Sequence, residues 1–315
     1  MRRILSLLYV MLASVSPVLI STATAAEYPD HPIKMLTMVN PGAQIDLLAR
    51  ALAEELKNEL GQPVLVSNNP GGSHGSVMAT GLAASPADGY TLGVSATAAF
   101  TYSPYIMITK YTLKDFEFLT LLGLNQSGII CRPDRPWKTL KDAFTWAKGQ
   151  GRGLTYMFQG SDDRDVVKRI AAGEGVPVSL MPSTGGPSII AAVLGGHADI
   201  GHTGAIMFDY IADGKLRILA ATTPVRLSVL PDVPTLKDLG WNESVEMYVV
   251  LAAPTGLPDH ARIRLNSAID AIGKKKEFRD FITRKLRMRE VDFGPAAAHD
   301  YIVNAAARFA KGDGQ

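Results

Sequence analysis

Ile33-Lys34-Met35-Leu36-Thr37-Met38-Val39 is an apolar, β-prone run, and Asn40-Pro41-Gly42-Ala43-Gln44 breaks it before a helical stripe begins. Ile45, Leu48, Leu52, Leu56 and Leu60 then fall on one face at helical spacing, and Gly61 ends the stripe. Val64-Leu65-Val66 reads as a second strand, closed by Asn68-Asn69-Pro70-Gly71-Gly72. A small-residue helix over Val77 to Ala84, the turn Pro86-Ala87-Asp88-Gly89 and a strand from Tyr90 to Ser95 follow. That β-α-β-α-β order implies a parallel sheet with helices on both faces, because parallel strands need crossovers and crossovers cover the sheet.

The pattern restarts after Trp137. Thr139 reads as the cap of a helix over Leu140 to Lys148, and Leu154 to Phe158 as a strand. A helix over Asp162 to Ala172, a strand over Val178 to Met181, a helix over Ser188 to Leu194 and a strand over Asp199 to Thr203 complete the second unit. Linking strands are expected near Ile129 to Arg132 and Glu246 to Ala252. Three C-terminal helices, over Pro258 to Ile272, Lys276 to Leu286 and Pro295 to Phe309, should rejoin the first unit. The expected division is residues 27–128 with 250–315 as one lobe and 129–249 as the other.

The N-terminus places the chain. Arg2 and Arg3 precede an apolar run from Ile4 to Ile20, and small residues lead to Ala23-Thr24-Ala25-Ala26. Charge, apolar stretch and small-residue site in that order make residues 1–26 a secretory signal peptide, with cleavage expected after Ala25 or Ala26. No cysteine lies near that site to take a lipid, so a free periplasmic protein is expected. Cys131 is the single cysteine, which leaves stability to core burial. The chain has 32 basic and 30 acidic residues. Losing Arg2 and Arg3 brings the two into balance, so no basic excess exists to track phosphates, and nucleic acid is not an expected partner.

In open parallel sheets, ligands sit beyond the carboxyl ends of the strands. That rule selects Gly42-Ala43-Gln44 with Asp46, then Gly72-Ser73-His74, Ser95 and Thr97 in the first unit. In the second it selects Gln159-Gly160-Ser161-Asp162-Asp163, Thr184-Gly185-Gly186 and Thr203. Each loop joins glycine or a short hydrogen-bonding side chain to a helix start, where free N–H groups favour anionic oxygens. Helix caps use the same residues, so each loop taken singly is an ordinary turn. It is their number, spread over two units, that points to a binding site.

An enzyme reading competes. Gly71-Gly72-Ser73-His74-Gly75 matches G-x-S-x-G, and Ser73, Asp199 and His202 follow the chain order of a serine hydrolase. Asn68, Asn69 and Pro70 break the strand that a nucleophile elbow requires, however. His197, Asp199 and His202 lack a fixed helical spacing for a metal. No catalytic group, metal or cofactor is expected.

Taken together, several segments resemble the periplasmic receptors of tripartite tricarboxylate transporters, the Bug-type solute-binding proteins. They are Tyr28-Pro29, Pro41-Gly42 with Asp46, Leu60-Gly61-Gln62-Pro63-Val64, Asn69-Pro70-Gly71 and Ala87-Asp88-Gly89-Tyr90-Thr91-Leu92. Leu194-Gly195-Gly196, Gly214-Lys215-Leu216-Arg217, Leu230-Pro231-Asp232-Val233-Pro234-Thr235 and Ala253-Pro254-Thr255-Gly256 complete the set. The resemblance implies a type II periplasmic binding protein fold, in which two α/β lobes with mainly parallel sheets hinge shut on a small carboxylate. It implies grip by the loops Pro41–Asp46, Asn69–Ser76, Gln159–Asp163 and Ser183–Gly186, with no chemistry on the solute. A two-component membrane permease or a sensor would be the partner, and a monomer is expected.

Two departures bear on the ligand. Ala43 and Gln44 stand where the family usually has glycines, and Ser161-Asp162-Asp163-Arg164-Asp165 replaces a loop usually rich in Ser, Thr and Asn. Facing a ligand carboxylate, Asp162 and Asp163 would repel it unless paired or protonated; as helix caps they would be harmless. The first arrangement favours a monocarboxylate, a zwitterion or an aromatic acid over citrate.

Overall fold

The computed structural model describes residues 28–310. The expected signal peptide and its cleavage site lie outside the described residues.

The first half of the chain runs β1 (Ile33–Thr37), α1 (Gln44–Leu60), β2 (Val64–Asn68), α2 (Ser76–Ala83), β3 (Thr91–Ala96), α3 (Ala98–Thr101), α4 (Ser103–Ile106) and β4 (Phe116–Leu124). Next come β5 (Gly128–Cys131), α5 (Leu140–Gly149), β6 (Leu154–Phe158), α6 (Ser161–Glu174), β7 (Val178–Pro182), α7 (Gly186–Leu194), β8 (Ile200–Thr203), α8 (Met207–Ala212) and β9 (Arg217–Ala221). The chain ends with β10 (Tyr248–Pro254), α9 (Asp259–Lys274), α10 (Lys276–Asp280) and α11 (Pro295–Ala310).

Local chemistry explains the boundaries. In α1 the predicted stripe is the buried face, and Gly61 closes the helix in the left-handed conformation at φ 78°. Thr139 and Asp142 form a reciprocal capping box at the start of α5. The expected helix over Lys276 to Leu286 is interrupted: α10 stops at Asp280 and a π-helical turn takes Phe281–Lys285. The strand expected from Asp199 starts at Ile200 instead. Asp199 accepts hydrogen bonds from Arg135, Arg152 and Thr155 and anchors the strand's entry.

Two five-stranded sheets result, ordered β2-β1-β3-β10-β4 and β7-β6-β8-β5-β9. In the first, β1 pairs in parallel with β2 and β3, while β10 runs antiparallel between β3 and β4. The second repeats the plan, with β6 parallel to β7 and β8 and β5 antiparallel between β8 and β9. In each sheet the antiparallel strand arrives directly from the other. β4 passes through Asn125–Ser127 into β5, and residues 222–247 lead from β9 back to β10. Apolar clusters cover the two sheets separately. Leu48, Leu52 and Leu265 lie in a cluster on the first, and Trp137, Phe144 and Tyr156 in one on the second. Two cores, each with its own sheet, make two lobes.

Candidate ligand-binding site

Two aspartates shape the expected loops, and both occupy the third residue of a helix. In α1, buried Asp46 accepts from the N–H of Gly42 at 2.8 Å, from Arg50 Nε at 3.0 Å and from Asn68 Nδ2 at 2.7 Å. Burial would raise its carboxyl, but these donors outweigh burial and hold it below the usual carboxylate range. It therefore braces the loop from beneath, and Gly42 holds the turn at φ 84°. Ala43 caps α1 in an extended conformation. Gln44 donates its amide to the carbonyl of Leu286 at 2.7 Å, so its side chain is taken up by the segment after the π turn.

In α6, Asp163 is buried and turned into the lobe. It accepts from the Tyr156 hydroxyl at 2.6 Å and from the N–H groups of Gln159 (3.1 Å) and Gly160 (2.5 Å). Burial pushes its carboxyl up, against the pull of nearby His202. His202 Nδ1 stands 3.5 Å away, and its Nε2 meets Thr222 Oγ1 at 3.0 Å. Asp163 thus caps its helix, whereas Asp162 stays half-buried and lines a cavity between the lobes.

Gly72 sits at φ 70°, and a Cβ there would fall 2.1 Å from Ser76 Oγ, so the close turn needs glycine. Ser73 Oγ contacts His74 Nδ1 at 2.9 Å, and Ser103 donates to the Ser73 carbonyl at 2.8 Å. The His74 imidazole packs edge-on against Tyr102, and its Nε2 lies 3.6 Å from where a Gly160 Cβ would be. The loop between β2 and α2 thereby meets the start of α6, and Ser161 approaches the Tyr102 hydroxyl. Thr184 and Gly185 precede α7, with Gly185 at φ 127°. A Cβ on Gly186 would meet buried Thr203 Oγ1 at 2.8 Å.

Two expected residues turn elsewhere. Ser95 is fully buried and donates to Met38 Sδ at 3.2 Å, and buried Thr97 donates its N–H to the Tyr248 carbonyl at 2.8 Å. Sequence reasoning missed Tyr102, which bridges the lobes; the Tyr-Ser-Pro stretch at 102–104 carries no periodic signal that would reveal it. Nor is the Ser73–Asp199–His202 set assembled, because Asp199 serves Arg135 and Arg152 while His202 serves Thr222. Among the described residues no cluster of His, Cys, Asp or Glu could hold a metal.

Paired α/β lobes joined by two crossovers, with glycine-bearing helix starts meeting between them, define a solute-binding protein of the periplasmic type. Residues 48–301 match the model of the tripartite tricarboxylate transporter family receptor, and the chain belongs to that family. It is 29% identical to the protein BugT of Bordetella pertussis over 86% of this chain and 84% of that protein. A TctC solute-binding protein from Polaromonas, solved without ligand, superposes with a TM-score of 0.76 at 26% identity, covering 90% of this chain and 97% of that one. MatC from Rhodopseudomonas palustris, solved with bound malate, gives a TM-score of 0.70 at 21% identity over 90% of this chain and 98% of its own. No helix among the described residues is long and apolar enough to cross a membrane.

Proposed function

We propose that this chain is an exported receptor, cleaved after Ala25 or Ala26, that captures a small organic carboxylate between its lobes and presents it to a membrane permease or a sensor. The observation that carries the reading is the meeting of the Gly72–Gly75 loop of one lobe with the Gly160–Ser161 start of α6 in the other. Helix starts direct free N–H groups and positive partial charge at whatever lies between them, which favours a carboxylate. Malate in the similar MatC structure accords with that chemistry.

The expected grip residues divide by geometry. Gly42, Ala43, Gly72, Ser73, His74, Gly160, Ser161, Thr184, Gly185 and Gly186 stand at the loops, and Gln159 is exposed beside them. Asp46, Ser95, Thr97, Asp163 and Thr203 support them from within.

A monocarboxylate, a zwitterion or an aromatic acid is favoured over citrate. Gln44 and Asp163 are engaged internally, so the preference rests on Asp162, which keeps a carboxylate between the lobes. A trianion would meet it, and burying unpaired like charges costs several kcal/mol. Calorimetry with benzoate, a neutral amino acid, malate and citrate tests this. One of the singly charged or zwitterionic ligands should bind most tightly; tight citrate binding would sink the preference, and no binding by any carboxylate would sink the receptor reading.

A further inference from the structure

A buried polar chain runs through the second lobe from the start of α6 to the hinge. At one end the Asp163 carboxylate holds the N–H groups of Gln159 and Gly160, and so sets the loop that meets the first lobe. His202 of β8 stands next, with Nδ1 3.5 Å from Asp163 Oδ2 and Nε2 3.0 Å from Thr222 Oγ1. Thr222 Oγ1 lies 2.8 Å from Ser127 Oγ, and the Thr222 N–H donates to the Ser127 carbonyl at 3.1 Å. Ser127 ends the crossover into β5, and Thr222 opens the one that leaves β9. Asp163, His202, Thr222 and Ser127 are all buried.

The imidazole is incompletely satisfied. Its Nδ1 is buried with no hydrogen-bond partner, and the gap to Asp163 is that of an ion pair rather than a hydrogen bond. A carboxylate can only accept, so a neutral ring facing it must carry its hydrogen on Nδ1. Nε2 then accepts from the Thr222 hydroxyl, and Ser127 donates to Thr222. One added proton reverses that order. Whether the pair becomes imidazolium with carboxylate, or imidazole accepting from a carboxylic acid, Nε2 now carries hydrogen and donates to Thr222. The Thr222 hydrogen must then turn to Ser127. Other ionisable groups face the pair as well. Tyr156 of β6 donates to Asp163, Asp162 and Arg164 of α6 act on it through space in opposite senses, and His74 of the first lobe stands near Gly160.

We propose that His202 is the positioning residue of a proton-driven link between the α6 loop and the hinge. A proton taken up by the Asp163–His202 pair reorders the two hydroxyls at which the crossovers meet. By linkage, rearrangement of the crossovers alters the pair that holds Gly160. The link belongs to the free chain; that the Gly160 loop faces a ligand rests on the receptor reading.

Nitrogen NMR of the histidine rings in the full, ligand-free chain, from about pH 5 to 8, tests the proposal. The His202 signals are those lost in His202→Gln. At the alkaline end this ring should carry its hydrogen on Nδ1, and Nε2 should gain one as pH falls. The Gly160 amide should follow with the same midpoint. Thr222→Val keeps the shape of the side chain but removes the acceptor for Nε2. It should lower that midpoint by roughly 0.5 pH or more, because the protonated pair loses the stronger, charge-assisted bond. The proposal is overturned by a ring with hydrogen on Nε2 alone at the alkaline end, or by a ring unchanged across the range. A Gly160 amide that follows His74 instead, or a midpoint unmoved by Thr222→Val, overturns it too. Each of those results leaves the receptor reading to the calorimetric panel.

Discussion

Asp46 and Asp163 show how one helix position yields opposite electrostatics. Both are third in their helices and both hook back to the glycine before them. Asp46 has Arg50 at hand and is held low; Asp163 has a phenol and a buried surround and is pushed up. The signs follow by linkage. Asp46, with its folded value lowered, contributes stability above the ordinary value of 3.8 that is lost as pH falls through the folded one. Asp163, raised, contributes below 3.8 and loses its contribution as pH rises through its higher folded value. Asp46→Asn should therefore cost roughly 1–3 kcal/mol near neutrality and flatten the acid limb of stability. Asp163→Asn should instead flatten the decline on the rising side of 3.8. Urea unfolding across the acid range reads both; the same pH slope in both variants and the parent would contradict the assignment. Cys131 belongs to this scale too. Burial pushes its thiol up to about 12 and leaves it fully enclosed. A thiol reagent should leave the native chain unlabelled and react on unfolding, whereas prompt native labelling would show that the second sheet opens.

Elements were legible in the sequence where the signal is local. β6 occupies the residues read for it, and α1 and α5 begin and end on their caps and stripes. β4 and β9 were not read. β4 and β9 are buried almost throughout, so Phe116–Leu124 and Arg217–Ala221 lack the alternation that marks a strand with one wet face. Nothing in the sequence marks the π turn at Phe281–Lys285. The site divides the same way. Glycine loops at strand ends could be found by rule, but whether an aspartate faces the cleft or the core depends on the Tyr156 hydroxyl at the preceding strand and on His202, which lies far along the chain. Gly72 gives the test at this scale. With φ 70° and Ser76 Oγ in the way of any Cβ, Gly72→Ala must shift the start of α2. Ligand affinity should fall by about tenfold or more with the fold retained, since strain at one turn costs about 1–3 kcal/mol. Unchanged affinity would remove this loop from the site.

At the scale of the whole molecule, two lobes joined by two crossovers make relative lobe motion the default. Asn125–Ser127 and residues 222–247 are the only chain connections between the sheets among the described residues, and Ser127 meets Thr222 across them at 2.8 Å. Other ties are polar: Arg287 of the segment after the π turn reaches Asp209 of α8, and Arg308 of α11 reaches Glu246. Contacts of that kind are weak enough at a surface to break and reform. A ligand held by helix starts of both lobes would favour the arrangement in which they meet. Small-angle scattering, with and without a saturating amount of the tightest-binding carboxylate of the calorimetric panel, measures this directly. The radius of gyration should shrink on binding; an unchanged radius at saturation would contradict capture between the lobes.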